Sequence, residues 1–325
     1  MARPPRPSPR SYAILGVGAI GGYYGGLLAK AGFDTRFLLR SDHDHVRQHG
    51  LRVESIHGDF HLDRVHAYAD PRDMPRCDAA VVCFKATQNN ALPDILPHVL
   101  KPGGVVVALQ NGLNTERRIA EACPGLAPGH DVIGGLCFVC CNKLGPGHIR
   151  HLDYGRVKLG VYDRDGDGRA MGLTPPLDAI AHDFAHAGMD VEPVDDLVEA
   201  RWQKLMWNVP FNGLSVALRT TTDRLIAHPG ALALSRALMR ELAEGCEAAT
   251  GRAIGEAFRE QMIDHTRKME PYRTSMLLDF EAGRPMEVEP IFGEPLRDAG
   301  DAGRPLPRLQ TLYRQLSFLN DTCSV

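Results

Sequence analysis

Lys204, Asn208 and Asn212 stand at intervals of four in the run KLMWNVPFN, whose other residues are almost wholly apolar. An α-helix turns about 100° per residue, so this spacing gathers the three into one stripe that drifts only about 40° per step. Leu205, Met206, Trp207, Val209 and Phe211 cover the rest of the surface, and a helix apolar nearly all round is a buried one. A buried ammonium without partners costs several kcal/mol or loses its proton. An ammonium kept there beside two amides offers a cation and proton donor flanked by neutral hydrogen-bonding groups. A lysine that snorkels to solvent past a local asparagine network produces the same spacing, so the pattern by itself leaves both readings open. Pro210 removes one backbone donor and is expected to bend the helix.

A second chemical signal lies near the start. Gly16-Val17-Gly18-Ala19-Ile20-Gly21 follows the strand-like YAIL directly and opens the helical run GGYYGGLLAKAG. The first glycine suits a tight strand-to-helix turn, the second lets backbone approach a pyrophosphate, and the third allows close packing of helix on sheet. The positive end of the helix dipole then faces the phosphates. The motif alone is weak; its strand-turn-helix context is what makes this a dinucleotide site. The adenine ribose is read at the end of the second strand, roughly 20 residues on, where an NAD enzyme presents an acid. Here FDTRFLLRS offers Arg40 and Ser41, which favours NADPH over NADH. Asp42 and Asp44 lie close enough to keep the other cofactor in play, and a solvated loop arginine would look the same.

The elements that must carry these residues are set by bulk composition and texture. The chain has 325 residues, 44% hydrophobic and 24% charged, more than one hydrophobic core usually organises, so two domains are expected. A net charge of -3 speaks against a nucleic-acid or membrane-surface role. Residues 1–10, MARPPRPSPR, read as a disordered arm, since no apolar stretch follows of the kind a secretory signal needs. No run approaches the roughly 18 to 20 apolar residues of a membrane span, and a cytoplasmic protein is expected. From 11 to 195, the strand-sized runs SYAILGVG, DTRFLLR, DAAVVCFK, GGVVVALQNG, DVIGGLCFV and RVKLGVYD alternate with helical patterns, pointing to an α/β domain with a parallel sheet. From 196 to 325 long helical patterns follow one another, and an all-helical domain is expected.

Three further matches lead elsewhere. Eight cysteines, mostly inside apolar segments, read as reduced core residues, and Cys137-Phe-Val-Cys140 lacks the second ligand pair of a zinc site, so no metal is assigned. The run DRDGDG at 163–168 imitates a calcium loop but has Thr174 where a bidentate glutamate is needed. Asn320-Asp-Thr322 fits a glycosylation sequon that has no meaning without secretion.

Taken in order, GVGAIGGYYGGLLAKAG, FLLR, CFKATQ, LQNGLNTE, WQKLMWNVPFNGLSVAL and TSMLLDFEAGRPMEVE resemble the ketopantoate reductase (2-dehydropantoate 2-reductase) family over nearly all of the chain after its N-terminal arm. The resemblance implies a Rossmann-type domain and a helical domain related to that of 6-phosphogluconate dehydrogenase. It also implies NADPH-dependent reduction of ketopantoate to D-pantoate on the route to coenzyme A. Carried over by motif, Lys204 is similar to the family's catalytic lysine and Glu287 to its partner glutamate, with Glu289 as the alternative carboxylate. Asn208, Asn212 and Ser275 match substrate-contacting positions, and Asn111 matches a residue beside both nicotinamide and substrate. Gly16, Gly18, Ala19, Ile20, Gly21, Arg40 and Lys85 complete the cofactor set.

The residue types suit that reaction. Reducing a 2-keto acid puts negative charge on the carbonyl oxygen as hydride arrives, and a cation that donates a proton is required beside it. The chain departs from the family's best-characterised pattern after Glu287, in VEPIFGEPLRDAGDAGRPLP. A D-2-hydroxyacid dehydrogenase for another branched or aromatic 2-keto acid is therefore the alternative, and a non-catalytic NADPH-binding sensor the third reading. By analogy of fold the helical domain would offer surface for a homodimer.

Overall fold

The computed structural model describes residues 10–123, 131–163 and 168–322; residues 1–9 of the N-terminal arm and 164–167 of the calcium-like run lie outside them. Contacts divide the chain into two units. One comprises Met1–Gln110 with Thr115–Leu197, the other Asn111–Asn114 with Val198–Val325. The boundary at 197 lies two residues beyond the change of texture in the sequence, and four residues of the QNGLN segment count with the helices.

The first unit is built on a sheet of β1 (Tyr12–Leu15), β2 (Thr35–Leu38), β3 (Leu51–Ser55), β4 (Phe60–Leu62), β5 (His66–Tyr68), β6 (Cys77–Val82), β7 (Leu100–Ala108), β8 (Val132–Gly145), β9 (His148–Val161) and β10 (Val191–Pro193). Their order is β4-β3-β9-β8-β7-β6-β1-β2-β5, with β10 on β9. Its helices are α1 (Ala19–Lys30), α2 (His43–His49), α3 (Leu92–Val99), α4 (Thr115–Ala122) and α5 (Pro175–His186). Strand alternation sorts the core into two layers. Tyr12 and Ile14 face a cluster with Leu28 of α1 and Phe184 of α5, whereas Ala13 and Leu15 face one with Leu96 of α3 and Ile119 of α4. β1 is apolar on both faces because helices cover both.

β1 pairs in parallel with β2 and β6, β6 with β7, and β7 with β8. The sheet is predominantly parallel, as expected, with two antiparallel pairings, β3 with β4 and β8 with β9. The runs DVIGGLCFV and RVKLGVYD belong to a long antiparallel hairpin, β8 with β9, turned at Gly145 to His148. Only Val132 to Gly134 of β8 pair with β7. Beyond them the strand leaves β7 and finds its partner in β9 alone.

A carboxylate staples the start of β1 to β6: Asp78 accepts from Ser11 N at 2.9 Å, Ser11 Oγ at 2.6 Å and Lys101 Nζ at 2.8 Å. Burial opposes its ionisation, but the Lys101 ammonium and the Ser11 donors outweigh burial and hold its pKa down at about 2. A carboxyl depressed on folding adds stability above its unfolded pKa of about 4, lost as pH falls toward the folded value. In Asp78→Asn, the loss of stability measured by urea unfolding at pH 7 should shrink between about pH 4 and pH 2. A pH-independent difference would refute the assignment. Arg10, the last residue of the arm, donates to Ala179 O at 3.3 Å and pairs with Asp183 of α5.

The second unit consists of α6 (Leu197–Ala217), α7 (Thr222–Ala227), α8 (Pro229–Thr250), α9 (Glu256–Lys268), α10 (Ser275–Glu281), α11 (Glu294–Asp301) and α12 (Pro307–Thr322). α6 runs unbroken through Pro210 and is buried on nearly every side. Met206 and Phe211 are fully buried in a core shared with α8, α11 and α12, and half-buried Trp207 donates to Thr266 Oγ1 at 3.0 Å. A π-helical turn, Glu289–Gly293, leads into α11. Among the described residues no helix is long and apolar enough to cross a membrane.

Candidate active site

Within the helical unit, Lys204 is only 8% exposed, and its Nζ donates to Asn111 Oδ1 at 3.0 Å. The other end of that amide, Asn111 Nδ2, donates to Glu287 Oε2 at 3.0 Å, and Glu287 is 7% exposed. One amide thus bridges an ammonium and a carboxylate. Its orientation is fixed by chemistry, since only the oxygen accepts from a cation and only the NH2 donates to an anion. Glu289 lies elsewhere, on Arg297 at 2.8 Å and on the Tyr313 hydroxyl. Asn208 and Asn212 are buried on the lysine's helix, one and two turns on. Among the described residues Asn212 Oδ1 has no hydrogen-bond partner. A buried orphan acceptor costs about 1–3 kcal/mol, so this oxygen suits a ligand that brings a donor. Ser275 is exposed at the start of α10, with no side-chain bond to Lys204. Its neighbour Thr274 meets Ser215 on α6 at 2.7 Å, close beyond Asn212.

Several residues to which the sequence assigned no role in the site hold this cluster. Gly112 has φ +99° and lies so close to Pro290 that a Cβ would come within 2.4 Å of it, while Leu113 N donates to Pro290 O at 2.8 Å. The π-helical turn places that carbonyl where a neighbouring segment can use it, as such turns often do at functional sites. Asn114, at φ 59°, donates to Glu294 at 2.7 Å and to Asp298 at 3.0 Å. Asn320, met in the sequence only as a sequon, accepts from Met286 N at 2.7 Å and so fixes the residue before Glu287. The signal for Gly112 was its type, next to an asparagine in a turn; the others carry no local signal.

In the first unit, the glycine turn leaves the carboxyl end of β1, and the turn with Lys85 leaves that of the adjacent β6. β1 is flanked by β2 on one side and β6 on the other, the point where strand order reverses and where such sheets bind ligands. Gly16 has φ +93° and presses on Phe84 N, which a Cβ would approach to 2.8 Å. A Cβ on Gly21 would come within 2.1 Å of Gly16 O. Gly18 differs from both. Its φ is -82° and a Cβ there would meet nothing within 4 Å, so neither backbone nor packing demands glycine. The open space lies at the N-cap of α1, which carries no side-chain cap and no acid in its first turn. That cradle fits a pyrophosphate, with Ala19 and Ile20 supplying the helix's first N–H groups. Gln110 and Asn89, both buried, exchange amide bonds at 2.7 and 3.1 Å, and Gln110 also donates to Phe84 O at 2.8 Å, bracing the turn beneath Gly16.

Arg40 is exposed two residues past β2 and makes no ion pair among the described residues. Asp42 is 5% exposed and turned away to the β8–β9 hairpin, where it accepts from Lys143 Nζ at 2.6 Å and Gly147 N at 3.0 Å. Burial would raise its pKa, but those donors outweigh burial and hold it below the usual carboxylate range. Lys85 is half-buried at the start of its 3-10 turn. Burial pushes the Cys141 thiol up to about 12, those of Cys77 and Cys123 up to about 11, and that of Cys83 well above its ordinary value. Among the described residues no three His, Cys, Asp or Glu side chains gather to hold a metal ion.

Residues 12–164 match the family model described as ketopantoate reductase PanE/ApbA, and residues 196–320 the model for its C-terminal part. A 2-dehydropantoate 2-reductase of Nostoc sp. is 50% identical over 96% of this chain and 95% of its own. Among solved structures, the 2-dehydropantoate 2-reductase of Geobacter metallireducens superposes with a TM-score of 0.88 at 35% identity, covering 95% of this chain and 99% of that one. The dimeric ketopantoate reductase of Staphylococcus aureus, 18% identical with a TM-score of 0.79 over 96% and 99% of the two chains, shares the fold.

Proposed function

The chain belongs to the ketopantoate reductase family, NAD(P)-dependent oxidoreductases, and from that premise we propose that it reduces 2-dehydropantoate to D-pantoate with NADPH. The observation that carries the proposal is the buried bridge from Lys204 through Asn111 to Glu287, together with Asn212 two turns along the same helix, whose Oδ1 has no partner among the described residues. When bound, the dinucleotide supplies the hydride. Gly16, Gly18 and Gly21 shape the turn that takes its pyrophosphate, Lys85 stands on the neighbouring turn, and Arg40 meets the 2′-phosphate as a free guanidinium. Withdrawal of Asp42 to Lys143 supports the phosphate-bearing cofactor, since that carboxylate is engaged at the hairpin and not offered to a ribose hydroxyl.

Lys204 holds its ammonium on the keto oxygen and passes a proton to it as charge develops. Asn111 keeps that ammonium aimed, and its bond to Glu287 keeps the amide from turning over. Asn208, Asn212 and Ser275 orient the carboxylate and hydroxyl of the substrate by neutral hydrogen bonds. Asn212 Oδ1 accepts a hydrogen bond from a substrate hydroxyl. The reading also places the protein in the cytoplasm, with a homodimer as its assembly.

The test is oxidation of NADPH by the purified protein, followed by nicotinamide absorbance, with 2-dehydropantoate beside branched and aromatic 2-keto acids. Selective turnover of 2-dehydropantoate supports the proposal; preference for another keto acid replaces the substrate, and tight binding without turnover on any of them overturns the reaction. In Arg40→Ala, the ratio of NADPH to NADH affinities should drop by roughly tenfold or more. A ratio left unchanged would show that the 2′-phosphate is read elsewhere.

A further inference from the structure

The segment between β2 and α2 carries Arg40, Ser41 and Asp42 in succession, and its hydrogen bonds are unusual for their positions. Asp42 occupies the N-cap of α2, where an aspartate normally accepts from the helix's own first N–H groups, yet it makes no side-chain cap bond. Its carboxylate instead crosses to the β8–β9 hairpin: Oδ2 takes Lys143 Nζ at 2.6 Å and Gly147 N at 3.0 Å, and Oδ1 takes Ser41 Oγ at 3.0 Å. On the other side of Arg40, Leu39 N donates to Tyr68 O at 2.9 Å. The backbone at Arg40 is therefore pinned on both flanks while its guanidinium stays exposed and unpaired among the described residues.

An acid two residues from Arg40 is a hazard for a site that binds a 2′-phosphate. Left free it would pair with the guanidinium, repel the phosphate and offer a ribose hydroxyl the acceptor that selects NADH. We propose that Lys143 is a specificity-determining residue: its ammonium sequesters the Asp42 carboxylate at the hairpin and thereby keeps Arg40 available for the 2′-phosphate. Lys143 needs no contact with the dinucleotide for this; it acts through Asp42. The inference rests on the NADPH reading above.

The experiment measures dissociation constants of NADPH and NADH for the full chain by nicotinamide fluorescence. Lys143→Met should weaken NADPH by roughly tenfold without weakening NADH, because the uncovered carboxylate repels the 2′-phosphate and takes up the Arg40 guanidinium, neither of which NADH depends on. Adding Asp42→Asn to that variant should restore most of the NADPH affinity, since no carboxylate remains to be covered. Lys143→Arg should behave as the parent, and Lys143→Gln provides the same comparison if the methionine variant does not fold. Equal weakening of both dinucleotides, or a double variant no better than Lys143→Met, would reduce Lys143 to a structural anchor and overturn the proposal. The Arg40→Ala control separates the two claims. If Arg40→Ala keeps the NADPH preference, the phosphate reading falls and this inference with it; if Arg40→Ala loses the preference while Lys143→Met retains it, only the role of Lys143 falls.

Discussion

Lys204→Met should lower turnover by at least about 10²-fold while leaving NADPH affinity within about twofold. Methionine keeps an unbranched apolar stem at a position only 8% exposed, so no large cavity is left there. What disappears is the charge and the proton. The keto oxygen then gains electron density with no cation beside it, and an interaction made chiefly in the transition state is the kind whose loss appears in kcat. Asn111 Oδ1 also loses its donor and becomes a buried acceptor, a cost of about 1–3 kcal/mol that invites the amide to reorient around Glu287. Dinucleotide affinity should change little, as the residues assigned to its pyrophosphate and 2′-phosphate, the glycine turn and Arg40, are untouched by the substitution. Single-turnover kinetics with fluorescence titration of the cofactor measure both quantities. A variant that turns over at the parent rate would remove Lys204 from the chemistry.

Two glycines of one turn should fail in opposite ways. Gly21→Ala drives a Cβ to within 2.1 Å of Gly16 O, and a backbone atom in a strained turn has little room to yield. Overpacking of this kind costs about 1–3 kcal/mol or more, so the cofactor-free protein should melt roughly 5–10 °C lower. Gly18→Ala meets nothing within 4 Å and needs no unusual φ, so its melting point should shift by less than about 3 °C, most of that from the poorer N-cap alanine makes. Its added methyl instead occupies the space assigned to the pyrophosphate, and dinucleotide affinity should fall by roughly tenfold or more. Thermal melts without ligand, paired with titrations of either dinucleotide, separate the two. If Gly18→Ala binds as the parent does, the phosphates lie elsewhere.

The strands most legible in the sequence are those buried on both faces. YAIL and CDAAVV stand out as short, largely apolar runs bounded by turns, and β1 and β6 are made of them. The hairpin is harder to read. Its pairing slips register at three places, and the tip NKLGPGHIRHLD is polar, so no alternation survives to show that two short apolar runs are the bases of one long structure. β3, β4 and β5 are of three to five residues and too brief for a period to register.

The same divide runs through the candidate site. The stripe of Lys204, Asn208 and Asn212 can be read from spacing because it is local to one helix. What the stripe touches cannot: the bond from Asn111 to Glu287 spans 176 residues and those from Asn114 to Glu294 and Asp298 span 180 and 184. Glu287 and Glu289 are indistinguishable by type and nearly so by position. Only packing sends one to Asn111 and the other to Arg297 and Tyr313.

The four residues Asn111–Asn114, which contacts assign to the helical unit, set a limit on modularity. A helical fragment cut at Val198 would carry Lys204 and Glu287 but leave the amide that joins them behind, and a chimera spliced there would meet a stranger's asparagine. Recombination between relatives at that seam has to bring the short segment along, so inheritance of this site is of two pieces of chain or of neither.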